Sequence, residues 1–530
     1  MYKVMIRDSM SPIAQEILEA TGKIQVVVDN DKTANDPKIL SKIIEAYDGL
    51  AVRSGTKVTA EVLHHAKRLK VVGRAGIGID NIDLQNATEK GIVVMNAPGG
   101  NSVTTAEHTI AMMMALARNI PQATASLREG KWEKKNFTGV EITGKILGII
   151  GLGSIGQIVA DRAKGLKMKI IASDPYVSQD AAGKLGVQLV YFEELLAKSD
   201  FITLHVPHLK ETVNLINANS LSQMKPGVRI INCSRGEVVN LDDLYQAVLS
   251  GHVGGAALDV FPQEPPDPSL SLLKHPNVIL TPHLAASTSE AQVNVARMIA
   301  EQMVAYLLDG VITNAVNFPA VSMEEMVQLR PYLSLAEKMG AFIGQLIRAP
   351  HDISVSYCGE VTNLSLKPIT HALLKGLLSS FTDKPINYVN ARAIAQGKGI
   401  GIKESVSQAD EAFSSLIKLK LEGTEETPNE IWGTIFEKKY PRLVRIGDFY
   451  LDAIPEGSMI VIRNIDKPGV IGHIGTTLGR HGINIGRFQL GRREDRALCL
   501  VNIDSPADEM VLKELESLPV MLSVKQVHLG

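Results

Sequence analysis

Cysteine is scarce in this chain, since its 530 residues include only Cys233, Cys358 and Cys499. The three are far apart and form no C-x-x-C pair, so the sequence predicts neither a disulfide framework nor a zinc site, and we expect no bound metal. Sparse, unpaired cysteine is typical of proteins that work in a reducing compartment. The expected location is therefore cytoplasmic.

An excess of charge of one sign and a long apolar run are also missing. The 55 Lys and Arg residues nearly balance the 57 Asp and Glu residues, and this formal net charge of −2 excludes the strongly basic signature of a nucleic-acid-binding protein. No apolar stretch reaches the roughly 18 residues needed to cross a bilayer, and charges interrupt the N-terminal region where a signal peptide is apolar. We therefore expect a soluble protein of several domains that binds small molecules, without nucleic-acid or membrane partners.

Glycine, by contrast, is concentrated in Gly151-Leu-Gly153-Ser-Ile-Gly156, which follows the apolar run of residues 145–150. Helical apolar spacing resumes after it, and strand, tight turn and helix form the context in which G-x-G-x-x-G binds the diphosphate of a dinucleotide. Asp174, at the end of the next apolar run, is positioned to bind the adenosine ribose, and no arginine follows it to accept a 2′-phosphate. NAD is the predicted cofactor, and a tight turn without a ligand is the alternative.

Short apolar runs on both sides of this motif predict two parallel sheets. Fully apolar strands separated by helical segments indicate sheets covered on both faces, with the binding loops at the carboxyl ends of the strands. The predicted strands are residues 4–6, 24–28, 50–52, 69–72 and 92–95 in the first sheet, and, beyond the glycine motif, residues 201–204, 228–231, 255–258 and 278–280 in the second. From residue 457 onward the order βαββαβ predicts a ferredoxin-like domain.

Arg235, Glu264 and His283 follow predicted strands and form a candidate reaction centre. The His283 imidazole can exchange a proton near neutral pH, and Glu264, nineteen positions upstream, is suited to orient it. Arg235 is suited to grip a substrate carboxylate through two hydrogen bonds. A secondary alcohol bound there would lose its proton to His283 and its hydride to NAD. The alternative is that these are three unrelated loop residues.

Several motifs resemble the signature blocks of the NAD-dependent D-2-hydroxyacid dehydrogenases. They are the glycine motif, Cys233-Ser-Arg235-Gly, Asp259-Val-Phe-Pro-Gln-Glu264-Pro-Pro and Thr281-Pro-His283-Leu-Ala-Ala-Ser-Thr288. Three further blocks, Arg53-Ser54, Gly73-Arg74-Ala-Gly76 and Gly99-Gly-Asn101-Ser-Val-Thr-Thr-Ala-Glu-His108, are similar to the branch that oxidises 3-phosphoglycerate to 3-phosphohydroxypyruvate, the first step of L-serine biosynthesis. The resemblance extends over nearly the whole chain.

The resemblance implies a fold and domain boundaries. We expect an α/β architecture with two doubly wound parallel-sheet domains: a discontinuous, flavodoxin-like substrate-binding domain of residues 1–97 and 288–316, and a Rossmann NAD-binding domain of residues 98–287. An α+β intervening domain of residues 317–452, where substrate or another anion can bind, and a ferredoxin-like ACT regulatory domain of residues 453–530 are expected to follow.

It also implies roles for individual residues. Arg235 is expected to bind the substrate carboxylate, Glu264 to orient His283, and His283 to give or take the proton. The expected cofactor contacts are Ile77, Gly151, Gly153, Ser154, Ile155, Gly156, Asp174, Val206, Cys233, Ser234, Arg235, Asp259, His283, Ala285 and Ala286. The expected substrate contacts, including those to the phosphate, are Arg53, Ser54, Arg74, Gly76, Asn101, Arg235 and His283.

Regulation and assembly are further expectations from the resemblance. Relatives inhibited by serine bind it between paired ACT domains at positions that match Asn464, Asp466 and Asn484, so L-serine is a possible effector, although Asn464 replaces the ring-bearing residue of some relatives. The family suggests a homotetramer, and Trp132 matches a loop that reaches a neighbouring subunit. Two alternatives stay open: another D-2-hydroxyacid dehydrogenase or reductase, acting on hydroxypyruvate or 2-oxoglutarate, and an NAD-sensing corepressor that binds partners.

Overall fold

The computed structural model describes residues 1–31, 36–319, 321, 323–347, 350–382, 385–407, 413–423 and 428–530. These residues form two compact units. The first unit combines Met1–Arg74, Gly78–Asn96 and Ile299–Gly530, and the second combines Ala75–Ile77 and Ala97–Met298.

The first unit begins with a five-stranded parallel sheet. Its elements are β1 (Tyr2–Ile6), α1 (Ile13–Glu19), β2 (Ile24–Val28), α2 (Pro37–Ile43), β3 (Gly49–Val52), α3 (Ala60–His65), β4 (Val71–Arg74), α4 (Leu84–Glu89) and β5 (Val93–Asn96). The strand order is β2-β1-β3-β4-β5, the flavodoxin-like arrangement, which confirms the predicted fold. All four residues of β3 are buried, as expected for a sheet covered on both faces.

The second unit is built on a seven-stranded parallel sheet in the order β12-β11-β10-β9-β6-β7-β8, which confirms the predicted Rossmann fold. Its elements are α5 (Ser102–Arg118), α6 (Ile120–Arg128), β6 (Ile146–Ile150), α7 (Ser154–Gly165), β7 (Lys169–Ser173), α8 (Gln179–Lys184), β8 (Gln188–Leu189), α9 (Phe192–Lys198), β9 (Phe201–Leu204), α10 (Ala218–Ser222), β10 (Val228–Asn232), α11 (Leu241–Leu249), β11 (Val253–Leu258) and β12 (Val278–Leu280). Helix α12 (Ser289–Asp309) begins in this unit and ends in the first.

The remainder of the first unit contains two further sheets. The six-stranded sheet has the order β14-β13-β15-β16-β17-β18 and is antiparallel except for the pair β13–β14. Its elements are α13 (Met323–Gly344), β13 (Asp352–Gly359), α14 (Leu366–Leu378), α15 (Ala391–Gly397), β14 (Gly401–Ser407), β15 (Ser415–Glu422), β16 (Glu430–Phe436), β17 (Tyr440–Ile446) and β18 (Phe449–Ala453).

The C-terminal sheet is antiparallel, in the order β20-β21-β19-β22. Its elements are β19 (Gly457–Ile465), α16 (Val470–Arg480), β20 (Ile485–Arg493), β21 (Arg496–Ile503), α17 (Glu509–Glu516) and β22 (Met521–Leu529). This βαββαβ sandwich confirms the predicted ferredoxin-like fold.

A large apolar core joins these later elements. Helices α13 and α14 approach so closely that a Cβ added to Gly340 or Gly376 would lie less than 3.0 Å from the backbone of the other helix. In the described ranges, every helix is too short or too polar to cross a bilayer. No cluster of three or more potential metal ligands occurs in that same part of the chain.

Candidate active site

The glycine motif lies where the strand order of the seven-stranded sheet reverses, between β6 and β9. Gly151 has φ +91°, which L side chains rarely adopt, and an added Cβ would meet the His205 carbonyl oxygen at 2.5 Å. A Cβ on Gly156 would lie less than 3.0 Å from the Gly151 carbonyl oxygen. Around Gly153 nothing lies within 4 Å of the corresponding position, so the surface there is open. Gly151 and Gly156 maintain the turn and its close packing, and Gly153 allows close approach of a ligand.

The surroundings of this loop fit the diphosphate and ribose of NAD. Helix α7 has Gly153 as its N-cap residue and no side-chain cap, and the first N–H groups of a helix attract anions. The carboxylate of Asp174 is partly exposed after β7; its Oδ2 accepts a hydrogen bond from Leu152 N at 2.7 Å. Ser154, at the start of α7, lies beside the start of α5, where Ser102 Oγ donates to Ser154 Oγ at 3.3 Å. Ile155, next along α7, is partly exposed.

His283 and Glu264 are brought together by the structure. Glu264 Oε2 lies 2.8 Å from His283 Nδ1, and Glu264 Oε1 accepts a hydrogen bond from Phe261 N at 3.1 Å. The His283 ring is half exposed. An ionised Glu264 accepts the hydrogen on Nδ1, which leaves the lone pair on Nε2. The exposed Nε2 is then able to take a proton from a bound alcohol.

Asp259 holds the backbone that carries His283. Its carbonyl oxygen accepts from His283 N at 2.8 Å, and its carboxylate accepts from Thr281 Oγ1 at 2.6 Å, Leu284 N at 2.7 Å and Ala285 N at 2.9 Å. Burial raises the pKa of this carboxyl, but hydrogen bonds from His108, Thr281 and the two N–H groups outweigh it and leave the pKa below its ordinary value. The carboxylate is fully buried and already engaged by the protein, so its direct contribution here is to position the loop.

Arg235 lies on the neighbouring loop, after β10. The pairing of Asn232 with Leu258 and of Leu258 with Leu280 aligns the ends of β10, β11 and β12, so their loops share one edge of the sheet. A Cβ on Gly236, next to Arg235, would lie less than 3.0 Å from the backbone of Phe261, three residues before Glu264. The Arg235 loop and the Glu264 loop therefore pack directly against each other.

The remaining expected cofactor contacts differ in accessibility. Cys233, Ser234 and Ala285 are buried, and Ile77, Val206 and Ala286 are partly exposed. Burial, and then the charge of Asp259, raise the pKa of the Cys233 thiol to about 12. Cys233 is therefore a neutral side chain of the core rather than a reactive thiol.

The expected phosphate-binding residues of the first unit share another sheet edge. Arg53 and Ser54 follow β3, Arg74 ends β4, and the register pairs Val52 with Arg74. Both arginines are partly exposed, and Ser54 is exposed. Two arginine-bearing loops thus project from adjacent strand ends.

Asn101 and Gly76 belong to the second unit. Asn101 is the N-cap residue of α5, and its side chain makes no capping hydrogen bond. Its Oδ1 is buried and has no hydrogen-bond partner among the described residues. A buried polar atom without a partner costs free energy, and a ligand that donates a hydrogen bond would remove this cost. Gly76 is buried, and its carbonyl accepts from Ala97 N.

The three expected effector residues have different environments. Asn464 is 1% exposed, and its amide donates to the Ile465 carbonyl, so its side chain is not open to a ligand. Asp466 forms an ion pair with Arg492, and Asn484 Nδ2 donates to Asp504 Oδ2 at 2.8 Å. Asn464 lies within the β19 pairing rather than on the loop that follows, and its expected contact with an effector stays a prediction.

Several residues that support the site were not singled out from the sequence. Asp8, after β1, accepts hydrogen bonds from Arg53 N at 2.8 Å and Thr56 Oγ1 at 2.7 Å, while Asn81 Nδ2 donates to the carbonyls of both Arg53 and Thr56 at 2.7 Å. The signal available for Asp8 was its position directly after an apolar strand, as for Asp174. Asn81 gave no comparable signal, because it lies far from Arg53 along the chain.

The chain matches three protein families in succession. Residues 110–285 match the D-isomer specific 2-hydroxyacid dehydrogenase NAD binding domain, residues 328–447 the D-3-phosphoglycerate dehydrogenase intervening domain, and residues 458–520 the ACT domain.

Proteins similar to this chain match it over nearly its full length. D-3-phosphoglycerate dehydrogenase of Archaeoglobus fulgidus is 42% identical over 99% of this chain and 100% of its own, and that of Bacillus subtilis is 39% identical over 100% of both. Among solved structures, D-lactate dehydrogenase of Aquifex aeolicus complexed with NAD and lactic acid is 29% identical with a TM-score of 0.53, and the match covers 60% of this chain and 100% of that one.

Proposed function

This chain belongs to the D-3-phosphoglycerate dehydrogenases, NAD-dependent oxidoreductases of the D-2-hydroxyacid dehydrogenase family, and we propose that His283, Glu264 and Arg235 carry out its reaction. The enzyme oxidises the C2 hydroxyl of 3-phosphoglycerate to the carbonyl of 3-phosphohydroxypyruvate, the first step of L-serine biosynthesis. When bound, NAD supplies the acceptor for the hydride that leaves C2.

The contact of 2.8 Å between Glu264 Oε2 and His283 Nδ1 is the observation that supports these roles. Glu264 fixes the tautomer in which His283 Nε2 is unprotonated, and Nε2 takes the proton of the C2 hydroxyl as the C–H bond breaks. The resulting imidazolium is stabilised by the adjacent carboxylate. In the reverse direction, His283 returns the proton to the carbonyl oxygen.

Arg235 is proposed to bind the substrate carboxylate, because guanidinium and carboxylate match in two parallel hydrogen bonds. For the phosphate we propose Arg53, Ser54 and Arg74, and two arginines at adjacent strand ends support this assignment. Asn101 and Gly76 are proposed as further substrate contacts, and the unpaired Asn101 oxygen supports the first of these because it could accept a hydrogen bond from a substrate hydroxyl.

For the cofactor we propose contacts from the glycine motif, Asp174 and the loops after β9, β10 and β12. The support is the open surface at Gly153, the exposed start of α7 and the accessible Asp174 carboxylate. Val206, Ser234 and Ala286 would lie along the same sheet edge. Asp259 is assigned a positioning role.

A substrate panel tests this function. We expect rapid NADH formation from D-3-phosphoglycerate and NAD at alkaline pH, and little or none from D-lactate or D-glycerate, which lack the phosphate. Preference for an unphosphorylated acid would instead indicate another D-2-hydroxyacid dehydrogenase. Absence of turnover with every substrate, in protein that binds NADH, would favour a corepressor.

We also propose that L-serine acts as an effector through Asp466 and Asn484, in a cytoplasmic homotetramer. The ACT domain supports an amino-acid effector, and a Trp132 side chain that is 84% exposed supports a subunit contact. Serine would have to compete with Arg492 for Asp466. Light scattering should give a mass about four times the 57.3 kDa of one chain. Unchanged initial rates with millimolar serine, in protein that measurably does not bind serine, would reject the effector role.

A further inference from the structure

The loop of residues 53–56, directly after β3, is bonded at both of its ends to side chains from other parts of the first unit. It carries Arg53 and Ser54, two of the proposed phosphate ligands. Thr56, at its far end, is fully buried, whereas Ser54 in its middle is exposed. The loop is thus anchored at its ends and open to solvent between them.

Asp8 holds the loop through the N–H groups of its two end residues. Asp8 Oδ2 accepts from Arg53 N at 2.8 Å and from Thr56 N at 3.1 Å, and Asp8 Oδ1 accepts from Thr56 Oγ1 at 2.7 Å. Strand β1, which precedes Asp8, pairs with β3, and this pairing brings the two loops together. Both oxygens of the carboxylate are therefore engaged by the loop.

Asn81 holds the carbonyl groups of the same two residues. Its Nδ2 donates to the Arg53 and Thr56 carbonyls, each at 2.7 Å, because one amide group has two N–H donors. Asn81 is itself held in place, since its own carbonyl accepts from Val58 N at 2.8 Å. Asp8 and Asn81 together bond to the N–H and the carbonyl of both end residues, and we call this pair the loop clamp.

The backbone of Asp8 supports a dedicated role in this clamp. Asp8 has φ +60°, in the left-handed region that residues other than glycine rarely adopt and that aspartate and asparagine tolerate best. A conformation that costs free energy persists where the surrounding contacts require it. Here those contacts are the three hydrogen bonds that the carboxylate accepts from the ends of the loop.

The charge of Asp8 does not explain its position beside this loop. A carboxylate close to the proposed phosphate ligands repels the phosphate and weakens its binding. The contribution of Asp8 is therefore to the shape of the loop, and the same holds for Asn81, which carries no charge.

We propose that Asp8 and Asn81 are positioning residues that determine specificity for a phosphorylated acid. They hold the loop in the shape that presents Arg53 and Ser54 to the phosphate, and this inference rests on the function proposed above for those two residues. Without the clamp the substrate itself would have to order the loop, and that ordering cost lowers its affinity. The residues proposed to react lie on other loops, so the clamp acts on KM rather than on kcat.

Steady-state kinetics of the full-length enzyme with D-3-phosphoglycerate tests the clamp. Asp8→Ala and Asn81→Ala should each raise KM about tenfold or more and leave kcat within about threefold of the wild type. Asp8→Asn keeps an acceptor for both N–H groups and removes a negative charge, so its KM should equal or fall below that of the wild type. The matched control is Asn86→Ala, which removes an amide that donates to Asp83 Oδ2 at 3.0 Å, and its KM should match the wild type.

A double-mutant cycle with Arg53→Gln separates the clamp from the phosphate assignment. Arg53→Gln should raise KM by itself, and Asp8→Ala should then add less than about twofold, because the clamp acts through the loop that carries the arginine. Thermal melts will verify that each variant is folded, and Asn81→Ala decides the test if Asp8→Ala does not fold.

Two kinds of failure can be told apart. A raised KM in Arg53→Gln, together with a wild-type KM in folded Asp8→Ala and Asn81→Ala, would overturn the clamp alone. So would an equal rise in KM when Asp8→Ala is made in the wild type and in Arg53→Gln, because the two residues would then act independently. An unchanged KM in Arg53→Gln would reject the phosphate role of Arg53 and the role of the clamp with it.

Discussion

At the scale of single residues, the proposed reaction depends on how Glu264 and Asp259 hold His283. Glu264 orients the imidazole ring through its contact with Nδ1. Asp259 instead holds the backbone of residues 281–285, which carries His283. Substitution of Glu264 should therefore affect mainly turnover, whereas substitution of Asp259 should also lower stability.

Glu264→Gln is expected to lower kcat at least tenfold. The amide oxygen can still accept from Phe261 N, which turns the NH₂ group toward His283 and favours the tautomer with hydrogen on Nε2. That tautomer cannot accept the substrate proton. Steady-state kinetics with D-3-phosphoglycerate will measure the loss, and NADH fluorescence should show an unchanged cofactor Kd. Exposed Glu211→Gln is the control, and equal kcat values in the two variants would refute the role of Glu264.

Asp259→Asn is expected to destabilise the protein by about 1–3 kcal/mol, because an amide cannot accept all the N–H and O–H donors around it. The folded-state pKa of Asp259 lies below its ordinary value of 3.8, so its stabilising effect is present above about pH 4 and is lost as pH falls through the folded pKa. The difference in melting temperature between wild type and variant should therefore be largest near pH 7 and shrink below pH 4. A difference that grows on acidification would contradict this assignment.

The proposed reacting residues were easier to predict from the sequence than the residues that support them. Arg235, Glu264 and His283 could be predicted to share one edge because each follows an apolar run that predicts a strand, and parallel strands bring such loops to one edge. Contacts such as His108 with Asp259 join residues 151 positions apart through tertiary packing. No local sequence pattern predicts such a contact. The burial of Asn464 could not be predicted for the same reason, because it also depends on tertiary packing.

At the scale of elements, the glycine motif provides the sharpest test of close packing. Gly156→Ala should weaken NADH binding at least tenfold and destabilise the protein by about 1–3 kcal/mol, because the new Cβ would overlap the Gly151 carbonyl oxygen. Gly165→Ala, in the same helix, meets nothing within 4 Å and should leave binding unchanged or gain up to about 1 kcal/mol of stability. Fluorescence titration and thermal melts will compare them. Equal NADH affinity in the two variants would exclude close packing as the function of Gly156.

The elements themselves were largely predictable where apolar runs were continuous. The predicted strands of residues 201–204 and 278–280 agree with β9 and β12 without a shift. The six-stranded sheet was not predicted, although β13 alternates buried and partly buried residues. Its partner β14 lies more than forty residues away in sequence, and such a pairing depends on tertiary structure rather than on local pattern.

At the scale of the whole molecule, the first unit is joined across a long span of sequence. Asn387, before α15, donates from Nδ2 to the Gly91 carbonyl at 2.7 Å, while its Oδ1 accepts from Val389 N and Asn390 N. Asn317 likewise contacts Val94 N through its Oδ1. These asparagines connect the segment after α12 to the N-terminal sheet.

Gly91→Ala should reveal this connection when it is compared with Gly22→Ala. Both glycines have left-handed backbones, φ +72° and +64°, so alanine costs about 1–2 kcal/mol at either position. Only at Gly91 would the new Cβ overlap Asn387; nothing lies within 4 Å at Gly22. The melting temperature of Gly91→Ala should therefore be several degrees lower. Equal melting temperatures would show that Asn387 does not pack on Gly91 in solution.

The initial rate of NADH formation by His283→Ala, with saturating D-3-phosphoglycerate and NAD at alkaline pH, tests the central claim most directly. General acid–base catalysis contributes about 10²- to 10⁴-fold, so the rate should fall by far more than tenfold while the Kd for NADH stays within about twofold of the wild type. Turnover at the wild-type rate in a variant that binds NADH normally would contradict the assignment of His283 as the base.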